Sequence, residues 1–167
     1  MKAKFNTIQD ALVYQLQGLL YAENKVRDQF NTCESEISSD QLKTELDKYT
    51  DQAGEKTLKL QRAFNYLMQD PQKQKNEVIN KLIKETRHML GYAIDIHLKD
   101  VLLVTCFQNI NAYKTATYRT AYLFAVELGL DTVADLLQQI LEWEVETGKT
   151  LNSLSIHEFN RINIAIE

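Results

Sequence analysis

"AYKTATYRTAYLFAVELG", residues Ala112–Gly129, reads as the second half of a long helix closed by a glycine. Along it and its approach, Val104, Phe107, Asn111, Lys114, Tyr118, Ala121, Ala125 and Leu128 recur every three or four residues. They therefore share one helix face. That face is apolar at both ends and carries Asn111 and Lys114 in the middle. A lysine on a face that has to be buried needs a partner, because an unpaired buried charge is expensive.

Working outward, the helix is predicted over residues 100–128, starting near Asp100. Asp131 caps the next one over 131–153, whose stripe is Val133, Leu137, Ile140, Glu144, Thr147, Leu151 and Leu154. Toward the N-terminus three more helices are predicted. The first, 7–31, starts at Thr7 and turns Leu12, Leu16, Leu19, Glu23, Val26 and Phe30 inward. The second, 39–69, carries Leu42, Leu46, Tyr49, then Gln52 or Ala53, then Leu60, Phe64 and Leu67. Asp70-Pro71 punctuates the chain before the third, 75–94. The tail, 155–167, has a capping-box look at Ser155 and Glu158 and predicts a short separate helical piece. Its "INIAI" run is expected to pack on the bundle or on a partner subunit.

The bulk composition agrees with one all-α domain over residues 1–167. Five glycines and one proline leave few breaks, and 44% of residues are hydrophobic. A net charge of −4 argues against nucleic acid or an anionic membrane as partner. The opening "MKAKFNTIQDAL" lacks the apolar core of a signal peptide, and no run is long enough to span a bilayer. Cys33 and Cys106 stand alone, as packing thiols of a reducing, cytoplasmic protein would. No nucleophilic triad or phosphate loop is visible, so no catalytic residue is assigned. His97 and His157 lack ligand-spaced partners and read as surface residues.

Short loops at 32–38 and 129–130 force two antiparallel hairpins. The third helix is then a crossover between them, which is the connectivity of ferritin-like four-helix bundles. Glu23, Asn111, Lys114 and Glu144 fall at one level on three inner faces, with Tyr49 or Gln52 at a comparable height on the fourth. The plainer alternative is a polar core edge solvated through a gap.

The pieces "YAENKV", "YTDQAGEKTLKLQRAF", "KLIKET", "AYKTATYRTAYLFAVELG" and "LLQQILEWEVETGKTL", in this order and spacing, resemble the YciE/YciF family of bacterial ferritin-like proteins, which are linked to stress responses. The resemblance implies metal-type carboxylates in the bundle. The family pattern has Glu in an "AE" motif on the first helix and His-x-x-Glu-Thr on the second. It has Glu-His-Tyr-Glu on the fourth, and Glu with a later Asp on the fifth. Here Glu23 and Glu144 keep the pattern. Tyr49-Thr50-Asp51-Gln52-Ala53 and Asn111-Ala112-Tyr113-Lys114 replace two motifs, and Gly148 replaces the later acid.

The expected site is thus a remnant of Glu23, Tyr49, Gln52, Asn111, Lys114 and Glu144, with Lys114 acting as an internal cation. No cofactor is expected. The alternative is iron or manganese held by Glu23 and Glu144, or less favourably by Glu85 and His88, with redox or peroxide-related activity. The expected role is structural or interactive, in a homodimer, with no enzyme activity.

Overall fold

The computed structural model describes residues 5–71 and 74–166. The described chain is all helical: α1 (Ile8–Cys33), a short 3-10 turn (Glu34–Glu36), α2 (Asp40–Tyr66), α3 (Glu77–Tyr92), α4 (Ile96–Glu127) and α5 (Asp131–Ile166). Local chemistry sets the starts of α1 to α4, whereas Asp131, expected as a cap, is the first residue of α5 itself. Thr7 and Asp10 form a capping box on α1, and Ser39, Asn76 and Asp95 cap α2, α3 and α4 by accepting backbone N–H bonds.

α1, α2, α5 and α4 form a ring of neighbours, and α3 lies outside it against α1 and α4. Chain direction follows from the core. Two apolar clusters fill the bundle, and α1 and α5 run from the Leu12–Leu137 cluster to the Phe30–Leu151 cluster. α2 and α4 run the other way, so α3 carries the chain back along the bundle as a crossover. Phe30, Tyr49 and Phe107 pack edge to face in the second cluster, with centroids 4.6–5.8 Å apart. Between the clusters lies a polar layer.

Several boundaries differ from those predicted. α4 begins at Ile96 because Asp95 is its cap, accepting from Leu98 N at 2.8 Å. Asp100 lies buried inside the helix instead. α2 stops at Tyr66. Its end has the same double hydrogen-bond closure as α4, but Met68 (φ 52) holds the left-handed position that Gly129 (φ 66) holds there. A methionine gives no sequence signal for such a stop. α3 spans residues 77–92, shorter at both ends than expected.

The largest departure is α5. It runs unbroken through Ser155, so the predicted separate tail helix and its capping box do not exist. Glu158 faces inward and is buried, continuing the inner stripe that Leu151 and Leu154 establish. The side chains from residue 163 onward, and with them most of "INIAI", lie outside the described residues. Among the described residues, no helix is long and apolar enough to cross a membrane.

Candidate functional site

Four inner faces meet in the polar layer. α1 brings Glu23, α2 brings Tyr49 and Lys56, α4 brings Asn111, Lys114 and Tyr118, and α5 brings Glu144. All seven are buried. The Lys114 ammonium sits between the two carboxylates, 2.8 Å from Glu23 Oε1 and 2.8 Å from Glu144 Oε1. It also reaches Glu23 Oε2 at 2.9 Å and donates to the Tyr49 hydroxyl oxygen. Lys56 donates to Glu144 Oε1 at 2.7 Å. Tyr118 donates to Glu23 Oε1 at 2.6 Å. The Asn111 carboxamide donates to Glu144 twice, to Oε2 at 2.8 Å and to the backbone carbonyl at 2.9 Å. Both ammoniums also lie over the Tyr49 ring, 4.3 and 4.7 Å from its centre.

Two carboxylates face two ammoniums, so the layer is neutral as a whole. That balance decides the ionisation of its members. Burial opposes the charge on Glu144, but Lys114 and Lys56 outweigh it and hold the carboxyl at about 2, from an ordinary 4.5. Burial likewise opposes the Lys114 charge, but Glu144 and Glu23 hold its pKa well above the usual lysine value. Lys56 goes the other way: burial and the neighbouring Lys114 ammonium push it down. Burial, reinforced by the glutamates, keeps Tyr49 and Tyr118 neutral far above the usual phenol range.

The structure brings together Glu23, Tyr49, Asn111, Lys114 and Glu144. Gln52 is not among them. The inward stripe of α2 runs Tyr49, Ala53, Lys56, Leu60, and Gln52 lies one residue to its side, half-buried and outside the cluster's hydrogen bonds. Lys56 and Tyr118 complete the site instead. Tyr118 was on the predicted stripe, without its partner. Lys56 was legible too: with residues 49, 53 and 60 facing inward, the alternating four-and-three spacing requires 56 to do so.

These residues do not fit a di-metal centre. Such centres in helical bundles draw carboxylates from all four helices, with histidines on two of them. Here α2 and α4 supply ammoniums at that level, and the acids of α1 and α5 are engaged by them. Glu85 and His88 are exposed on α3, on the side away from its buried Ile79, Ile83, Thr86 and Leu90. Among the described residues, no three of His, Cys, Asp and Glu gather where they could hold a metal ion.

Gly148 has a specific part in this layer. A Cβ built there would come within 2.9 Å of Asn111 Oδ1. A glycine inside a helix usually costs about 0.5–1 kcal/mol relative to alanine, so Gly→Ala is ordinarily stabilising. Gly148→Ala is expected to destabilise instead, because the carboxamide it strikes is fixed by two hydrogen bonds to Glu144. Urea midpoints of Gly148→Ala, Asn111→Ala and the double variant check this. The alanine at 148 is expected to be tolerated, or to stabilise, once Asn111 is shortened.

A second polar cluster closes one end of the bundle. Arg161 Nη1 lies 2.7 Å from Glu158 Oε2 and 3.3 Å from Asp100 Oδ2. Ser38 donates to Asp100 through its backbone N (3.0 Å) and hydroxyl, and Ser39 donates its hydroxyl to Glu158. His97 belongs here: it is half-buried, with Nδ1 3.2 Å from Arg161 Nη2, and is not the free surface residue expected. His157 is also half-buried, 4.0 Å from Glu158, and is likewise not a free surface residue. Both cysteines are buried and unpaired, and burial raises both thiols.

Comparison with known proteins agrees with this architecture. The crystal structure of the Escherichia coli stress protein YciF matches with a TM-score of 0.89 at 21% identity, over 93% of this chain and 99% of that one. YcfI of Rhodopseudomonas palustris matches with a TM-score of 0.87 at 25% identity, over 91% and 97%. A Xanthomonas campestris pv. campestris protein follows at 0.73 and 18%, over 94% and 99%. By sequence, YciF of Escherichia coli K12 is 30% identical over 80 residues, a stretch spanning about half (48%) of each protein. Residues 7–162 match the family described as a domain of unknown function, DUF892, and the chain belongs to that family.

Proposed function

We propose that this chain is a ferritin-like bundle whose di-metal site has given way to ion pairs, serving a structural or interaction role in a bacterial stress response. The observation that carries the reading is the Lys114 ammonium, 2.8 Å from both Glu23 and Glu144. A cation already fills the position between the two acids. At about 4 Å and an effective dielectric near 20, one unit charge repels another by about 4 kcal/mol, so a divalent ion entering beside it is strongly opposed.

Two further points support the role. YcfI carries a suggested structural role in its name, and YciF is described as a stress protein. Tyr92, Ile94, Ile96 and Leu98 expose apolar surface where α3 turns into α4, with Ile94 fully exposed. Such a patch suits a partner, here a second copy of the chain in the cytoplasm.

The test is elemental analysis of purified protein after incubation with iron(II) and manganese(II), followed by desalting. The expected result is far less than one metal per chain. Near-stoichiometric metal would sink the reading and favour the alternative, an ion held by Glu23 and Glu144 with redox or peroxide-related activity.

A further inference from the structure

We infer that Lys56 and Lys114 together stand in for a single divalent cation bridging Glu23 and Glu144, and that neutralising both lysines uncovers a site for one such ion. This rests on the metal-free reading of the core given above and adds a stoichiometry and an ion class to it.

The surroundings of Lys114 resemble a coordination shell. Oxygens drawn from α1, α2 and α5 crowd around one nitrogen: Glu23 Oε1 and Oε2 at 2.8 and 2.9 Å, Glu144 Oε1 at 2.8 Å, and the Tyr49 hydroxyl. An ammonium has three protons to donate, and here it meets four oxygens. Every donor atom is a hard oxygen, which suits Mn²⁺ and its like over thiophilic ions. The carboxylates need to close in by less than about 1 Å to pass from ammonium distances to metal–oxygen distances.

Charge fixes the number of ions. With both ammoniums present the layer sums to zero. With both removed, Glu23 and Glu144 leave two negative charges, which one divalent ion cancels. A second ion would leave the dry layer at +2, and no further acid lies in it to compensate. Two metals belong to bundles with four acids; this one has two.

The experiment uses the full chain carrying Lys56→Met, which fills its volume without charge, and Lys114→Ser, which vacates the ammonium position. Mn²⁺ alone is the probe, read by equilibrium dialysis with elemental analysis and by thermal melts. The double variant is expected to bind one Mn²⁺ per chain. Its melting temperature is expected to rise by about 5–10 °C at a hundredfold excess over Kd. Adding Glu23→Gln and Glu144→Gln is expected to abolish both effects. If the double variant is unfolded without the ion, circular dichroism is expected to show Mn²⁺ refolding it.

No binding, two ions per chain, failure to refold in millimolar Mn²⁺, or an equal response from the quadruple variant would each overturn the inference. Metal in the unmodified protein would instead overturn the metal-free reading, so the two failures are separable.

Discussion

Glu144→Gln is expected to be among the most damaging single substitutions in this protein, lowering the melting temperature by about 10–20 °C. Removing one partner of a buried ion pair typically costs ~3–5 kcal/mol, and each kcal/mol shifts a domain of this size by about 2–4 °C. Glu144 belongs at the upper end. It faces two ammoniums at 2.7 and 2.8 Å and anchors Asn111 as well, with no exposure of its side chain. Glutamine keeps the shape and one acceptor oxygen for the lysines, but its amide nitrogen then faces the Asn111 nitrogen, so that hydrogen bond is lost with the charge. The sharper measurement is the companion Glu144→Gln, Lys56→Met. It leaves one acid and one ammonium, Glu23 and Lys114, restoring neutrality. Thermal melts are expected to show it more stable than Glu144→Gln alone. If the single variant loses under about 1 kcal/mol, charge balance is not what the layer contributes.

The same residue predicts an acid response. Its folded pKa of about 2 lies below the unfolded 4.5, so folding favours the carboxylate. That contribution is complete above pH 4.5 and is lost as the pH falls toward 2, about 3 kcal/mol in all. Denaturation of the unmodified protein is expected to steepen in this window, and Glu144→Gln is expected to flatten it. Lys114 acts at the other extreme. Its folded pKa lies above 10.5, so its contribution holds through neutral pH and fades only beyond that value.

The layer also shows how far the sequence alone carries. Glu23, Lys114 and Glu144 announce themselves because each interrupts an otherwise apolar stripe with a charge, and an interruption at one level on three helices implies a meeting. Lys56 does not announce itself. It lies in "GEKTLKL" beside polar residues and a second lysine, and helical periodicity alone separates it from that Lys59, whose ammonium reaches Gln139 near the surface. Choosing Gln52 put the site one residue before Ala53, about 70° around the helix from the centre of the α2 stripe. Boundaries failed where the physical cue was ambiguous or atypical. Asp95 and Asp100 are equally good caps on paper, and tertiary burial of Asp100 beside Arg161 decides between them. Met68 in a left-handed conformation carries no glycine to mark it.

Deleting residues 156–167 is expected to cost about 2–3 kcal/mol, a fall of about 5–10 °C in melting temperature, because the end of α5 closes the second polar cluster. Ile156 and Phe159 explain little of this, since both are mostly exposed. The cost comes from charge. Arg161 bridges Asp100 and Glu158, both buried, and its loss with the deletion leaves Asp100 to the two donors of Ser38. Ser39 loses Glu158, to which it donates while capping α2. The Arg161 side chain is 28% exposed, so solvent screens the pair and the figure lies below that for a fully dry one. Arg161→Ala in the full chain is expected to reproduce most of the effect. Asp100→Asn in the shortened chain is expected to recover part of it, since an amide needs no counter-cation. Melts of the three variants, with size-exclusion chromatography to detect any change of oligomer, decide the matter. A shortened chain with unchanged melting temperature and size would mean that α5 beyond Leu154 does not hold the bundle closed.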